Sequence, residues 1–170
     1  RLFGTISNIP KYKIKSVVSP ENAGTITSFP VGAEFDEGTE ITLTANRNFG
    51  FSFLHWANEN GEIITTENPY IFVLNEDVKI YAIFEEIETF TLDVRVNGGA
   101  KDYMIIYDPI GVMVGGLRKY EKNTLVRLEA QENPVMTFTS WNTDLTNKEL
   151  SLIMDEDKTI IANYSAGDFI

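Results

Sequence analysis

A mainly β chain, folded as two tandem small modules with little helix, is the fold class that the sequence predicts. Three observations predict it. The chain is written twice, its apolar residues alternate with a period of two, and its Gly and Pro residues fall between the alternating runs. No window of a dozen residues keeps a 3.6-residue period.

The elements follow in order. Residues 1–11, "RLFGTISNIPK", stand outside the repeat as an N-terminal extension. Module one spans 12–84 and opens on the strand "YKIKSVV" (12–18). In "TEITLTA" (39–45), Ile41, Leu43 and Ala45 alternate with polar residues, as a half-buried strand requires. "FSFLHW" (51–56) supplies Phe51, Phe53 and Trp56 to a core. "YIFVL" (70–74) and "KIYAIF" (79–84) flank "NEDV", which reads as a tight hairpin turn. The joint "EEIET" (85–89) is short, acidic and free of Gly and Pro, so it is expected to limit swing between the modules.

Module two, 90–164, repeats this order. "FTLDVRV" (90–96) matches 12–18 at a shift of 78. "KNTLVRLEAQENPVMTFTSW" (122–141) matches 37–56 at a shift of 85, pairing Thr39 with Thr124, Phe53 with Phe138 and Trp56 with Trp141. "MDEDKTIIANY" (154–164) matches 74–84 at a shift of 80. The shifts place length differences in loops, where a β-fold tolerates them, and make the loop after Trp56 five residues longer than its counterpart. Residues 165–170, "SAGDFI", form a C-terminal tail whose apolar end is expected to lead into something further.

Bulk properties restrict function. The 170 residues carry a net charge of -11, and neither module is basic: 4 Lys/Arg face 10 Asp/Glu in 12–84, and 8 face 11 in 90–164. Such a chain repels phosphate backbones, so no nucleic-acid partner is expected. No run approaches the ~18 apolar residues that span a bilayer, so no membrane insertion is expected. The absence of cysteine removes disulfides, thiol catalysis and thiolate metal sites. The chain opens on Arg1 with no charged-then-apolar leader, which reads as a mature or excised piece.

The order of strand, "EGT-x-I-T-L-T-A", "F-x-F-x-x-W", loop and "L-x-x-D-x-x-I-x-A-x-F" resembles the divergent internalin B-repeat modules, also called Listeria–Bacteroides repeats. The matching positions in module one include Glu37, Gly38, Thr39, Phe53, Trp56, Asp77, Ala82 and Phe84; in module two they include Thr124, Phe138, Trp141, Asp157, Ala162 and Tyr164. Module two departs with Asn123 for Gly38 and Val135 for Gly50, and His55 and Ser140 replace the usual Gly before the Trp. The resemblance implies a small β-grasp-like module, strung in series on exported bacterial proteins, without catalysis. No cofactor is expected.

Candidate sites are few. His55, the sole histidine, lacks the partners that a general base or a zinc site needs, and its counterpart is Ser140; it reads as a strand residue beside a core Trp. The acidic turns 75–77 and 155–157 lack the spaced oxygen ligands of a calcium loop, so turn hydrogen bonding is the simpler reading and no metal is expected. "GVMVGG" (111–116) lacks the Lys-Ser/Thr of a phosphate loop. If Ile80, Ala82 and Phe84 face inward, Tyr81 and Ile83 face outward and offer a contact surface. Tyr103 and Tyr107 are a second such pair. Asn58 and Glu59, in the long loop after Trp56, are a third place to look for contact.

The expected role is that of a non-catalytic repeat region of a secreted or cell-surface bacterial protein, a spacer and interaction module beside neighbouring domains. Its partner would be a protein or a surface glycan. The alternative is an accessory glycan-binding module of a carbohydrate-active enzyme such as a polysaccharide lyase.

Overall fold

The structure is a computed structural model that describes residues 8–142 and 144–167. The chain divides into two compact units, residues 1–87 and 88–170. Each unit is mainly β, as the alternation anticipated, and is built as two sheets around one core.

Unit one holds β1 (Lys11–Ser19), β2 (Gly24–Phe29), β3 (Glu34–Asp36), β4 (Thr39–Arg47), β5 (Phe51–Ala57), β6 (Ile63–Thr65), β7 (Tyr70–Leu74) and β8 (Val78–Glu86). One sheet has the order β3-β1-β8-β5-β6 and the other β2-β4-β7. The first and last strands, β1 and β8, pair in parallel from Ile14↔Val78 to Ser19↔Ile83. This is the β-grasp-like element; the three-stranded sheet, not a helix, covers it. Ile41, Leu43 and Ala45 from β4 meet Trp56, Ile80, Ala82 and Phe84 in the core, all of them buried.

Unit two repeats the plan with β9 (Thr89–Val96), β10 (Ile105–Asp108), β11 (Val112–Val114), β12 (Leu117–Glu121), β13 (Thr124–Ala130), β14 (Met136–Trp141), β15 (Glu149–Met154) and β16 (Lys158–Ala166). Its sheets run β11-β12-β9-β16-β14 and β10-β13-β15. A single 3-10 turn, Asp102–Met104, is the helical content among the described residues. β9 and β16 pair in parallel from Leu92↔Lys158, which reproduces the shifts of 78 and 80. β11 has no counterpart among the described residues of unit one. The "GVMVGG" segment forms it, turning through Gly115 and Gly116 (φ 57° and 80°) into β12.

Two features depart from the sequence reading. The runs 70–74 and 79–84 are not a hairpin: β7 pairs with β4 and β8 with β1 and β5, so "NEDV" carries the chain from one sheet to the other. The same crossover joins β15 to β16. Both strands present apolar residues to the shared core from opposite sheets, and alternation alone does not distinguish this from pairing. The joint is also shorter than 85–89. Glu85 and Glu86 still pair with Ser52 and Phe51, and Thr89 opens β9. Of the two residues between, the Ile87 N–H donates to the Gly50 carbonyl, and the Glu88 carbonyl accepts from the Lys122 N–H.

A bulge in each copy explains the "F-x-x-W" spacing. Residues three apart on a regular strand face opposite ways. In β5 the register slips between Phe53↔Phe84 and His55↔Ile83, so Leu54 is the extra residue; in β14 it slips between Phe138↔Tyr164 and Ser140↔Asn163, with Thr139 extra. Phe53 and Trp56 therefore share the inner face with ring centroids 5.4 Å apart, as do Phe138 and Trp141 at 5.0 Å.

Candidate functional site

Much of what is repeated belongs to the frame. The Asp77 carboxylate accepts the Lys13 N–H at 2.7 Å, and Asp157 accepts the Thr91 N–H at 2.6 Å, so each acidic turn ties the last strand to the first. The Trp56 indole N–H donates to the Glu67 carbonyl and that of Trp141 to the Asn147 carbonyl. Thr39 and Thr124 hydroxyls donate to the carbonyls of Asp36 and Glu121, both at 2.7 Å. Gly38 and Asn123 stand at φ 84° and 65°, a region Gly and Asn enter most cheaply, which explains why one replaces the other.

The acidic turns are thus occupied by structural bonds. Asp155 pairs with Lys158 at 2.8 Å, which together with a bond to backbone holds its carboxyl below the usual range. Among the described residues no three His, Cys, Asp or Glu side chains converge to hold a metal. His55 lies opposite Ile83 on β8, half-exposed. Ser140, its counterpart, sits 3.3 Å from the Asn163 amide.

Residues that differ between the copies line parts of two grooves. The first, about 420 Å³, opens on unit one between the edge strand β7 and the long loop after Trp56. Asn58, Glu59, Asn60 and Ile64 line one side, Tyr70 and Phe72 another, and Glu76 to Ile80 the remainder. The rings of Tyr70 and Phe72 stack, 4.8 Å apart and 21° from parallel. The loop holds its own shape: Asn58 Oδ1 accepts from the N–H groups of Asn60 and Glu62, and its amide donates to Glu62 Oε2. Lys79 reaches Glu59 at 3.5 Å and lies 5.3 Å from the centre of the Tyr81 ring. Tyr81 and Glu59, in that order, hold the Lys79 ammonium above its usual pKa.

The second, about 430 Å³, lies on unit two beside Tyr103 and Tyr107, with Asp102, Ile106, Ile110 and Arg118. Tyr103 is 80% exposed, on the 3-10 turn. The Arg118 guanidinium covers the Tyr107 ring at 3.8 Å and donates to the Ile110 carbonyl. Burial pushes the Tyr107 hydroxyl up in pKa, and Arg118 opposes it.

The predicted contact residues therefore sort by place. Asn58 and Glu59 line the unit-one groove, and Tyr81 adjoins it through Lys79. Ile83 faces the same side of its sheet as Tyr81, half-buried. Tyr103 and Tyr107 share the unit-two groove. Sequence reasoning missed Lys79, Tyr70, Phe72 and Arg118. A signal for two of them was present: at the shift of 80, Tyr70 and Phe72 face Leu150 and Leu152, so the frame does not demand aromatics there.

Comparison with known proteins follows the same lines. Among solved structures the chain is similar to a mutant of the major pilin from Streptococcus pyogenes, at 10% identity over 92% of this chain and 97% of that one; the TM-score of 0.21 carries no argument. No curated protein matches the chain. The family model for the divergent InlB B-repeat domain matches residues 14–88 and 108–168. The second match leaves out β9 and the 3-10 turn, yet β9 takes the place of β1, so unit two drifts in sequence where it keeps the fold. With both matches falling on the two copies of one frame, the chain belongs to the divergent InlB B-repeat domain family.

Proposed function

We propose that this chain is a non-catalytic repeat region of an exported bacterial protein, which spaces neighbouring domains and offers side-chain surfaces to a protein or cell-surface partner. One observation carries this reading: the two copies share the contacts that hold the frame, while much of the surface in and beside the unit-one groove differs. Tyr70, Phe72 and Lys79 in the groove, and Tyr81 beside it, become Leu150, Leu152, Thr159 and Ile161, whereas Glu76, Asp77, Trp56 and Thr39 recur. The joint is two residues long, Ile87 bonded within unit one and Glu88 within unit two, and a link this short favours the spacer role.

The test uses the absence of native cysteine. Spin labels on Glu40→Cys and Leu125→Cys, both exposed positions, give a distance distribution by pulsed electron resonance. A narrow distribution is expected of a spacer; a broad one spanning tens of ångströms is incompatible with that role.

The tyrosine-bearing grooves favour a second reading, an accessory glycan-binding module of a carbohydrate-active enzyme such as a polysaccharide lyase. Affinity electrophoresis through gels holding intact polysaccharides tests it, and no retardation on any polymer refutes it.

A further inference from the structure

We infer that the unit-one groove is a binding site for neutral or amino-sugar residues of a glycan chain, its walls formed by Tyr70 and Phe72 and its polar contacts by Asn60 and Glu76. The inference rests on the second reading above and deepens it, because it selects one groove, one ligand class and the residues that make it.

The comparison within the chain carries the argument. Tyr70 pairs with Leu43 and Phe72 with Ile41, while at the same register in unit two Leu150 pairs with Leu128 and Leu152 with Val126. Two leucines thus suffice for the frame. The same edge of unit one carries the loop that is five residues longer and the additional strand β6, where the described residues of unit two form an isolated bridge between Trp141 and Leu145. Tyr70 and Phe72 also pack against the core, Tyr70 with its ring 6.4 Å from that of Trp56, but leucines fill that role in unit two, so the aromatic walls and the added loop coincide at one groove without the frame demanding aromatics.

Unspent polar groups lie in the same place. The hydroxyls of Tyr120 and Tyr164 donate to the carbonyls of Pro109 and Gln131, but the Tyr70 hydroxyl has no partner among the described residues. The side chains of Asn60 and Glu76 likewise have none there. A hydroxyl, an amide and a carboxylate around stacked rings match the chemistry of a pyranose: its C–H face suits the negative face of an aromatic ring, and its hydroxyls both donate and accept. The volume lies in the usual range for a small-ligand pocket, about 300–1,000 Å³.

Charge narrows the class. Glu59, Glu76 and Asp77 face one ammonium, Lys79, so the groove carries net negative charge. Uronate and sialate chains are repelled; neutral sugars are not, and an amino sugar is attracted.

Nuclear magnetic resonance titration of the intact chain tests this, with hexasaccharides of cellulose, mannan, chitin and chitosan, and with polygalacturonate and pentalysine as controls. At least one of the four hexasaccharides is expected to shift the amides of residues 58–62 and 70–72, with polygalacturonate inert. Tyr70→Leu with Phe72→Leu, which copies the residues of unit two, is expected to weaken binding at least about tenfold. Asn60→Ala with Glu76→Ala, both on exposed side chains, is expected to do so without disturbing the core. Sugar binding that maps to unit two, or that survives both double variants, overturns this site while leaving a glycan-binding module standing. Binding of polygalacturonate or pentalysine at this groove in place of the hexasaccharides overturns the ligand class. No binding to any saccharide here, and no retardation on any polysaccharide gel, overturns both.

Discussion

Asp77 and Asp157 show how much one side chain contributes when it joins residues far apart in sequence. Each caps a crossover and holds the backbone of a strand more than sixty residues earlier. Their sequence neighbours suggested a hairpin turn, and the acceptor role was legible; the donor was not, because nothing local identifies an N–H on the first strand. Asp77→Ala is expected to destabilise unit one by about 1 kcal/mol, as an exposed charged acceptor lost from one bond, with Asp77→Asn recovering most of it; denaturant titration checks both. Gly98 is a stricter case. It lies at φ 81°, and a Cβ there would stand 1.9 Å from the Tyr164 carbonyl oxygen. Gly98→Ala must push β9 away from β16, and a loss of roughly 3 kcal/mol from unit two is expected in the same titration. Tyr120 supplies a pH dependence. Burial raises its pKa to about 12, and its hydroxyl donates to the Pro109 carbonyl at 2.8 Å. The folded state keeps the proton that the unfolded chain releases near pH 10. Stability is therefore whole below that pH and is lost as pH rises from about 10 to about 12. Tyr120→Phe is expected to flatten that decline in an alkaline unfolding series, since Phe35 fills the corresponding place in unit one.

At the scale of elements, alternation suffices to place β4, β8, β13 and β16, because each has one face in the core and a period of two that nothing interrupts. The bulges are different. "F-x-x-W" read as plain alternation puts one aromatic outside, and only the burial of both rings requires an extra residue between them. Deleting Thr139 from β14 is expected to expel Trp141 or Phe138 from the core. Loss of a buried aromatic of that size costs about 3–5 kcal/mol, so unit two should lose its cooperative transition in a thermal melt. The crossovers were illegible for a related reason: two apolar strands joined by a short Asn/Asp turn satisfy hairpin and sheet-to-sheet connection equally, and what decides is which partner strands remain available. β11 had no precedent in unit one to reveal it.

At the scale of the molecule, the repeat was legible because it is carried by residues that the frame cannot exchange: Trp56 and Trp141, Asp77 and Asp157, Thr39 and Thr124. The grooves were legible only in part, through Asn58, Glu59, Tyr103 and Tyr107, because their walls are drawn from strands distant in sequence. One frame used twice, with surfaces free to diverge, is the claim on which the rest depends. Hydrogen exchange on the intact chain, followed by nitrogen-resolved magnetic resonance, reads it directly at four protons: the indole N–H of Trp56 and Trp141 and the amides of Lys13 and Thr91. Slow exchange at both indoles, and protection at both amides that Asp77→Ala and Asp157→Ala each remove from their own unit, is the predicted result. An indole that exchanges at the rate of a free side chain in either unit, or amide protection indifferent to its aspartate, would contradict it.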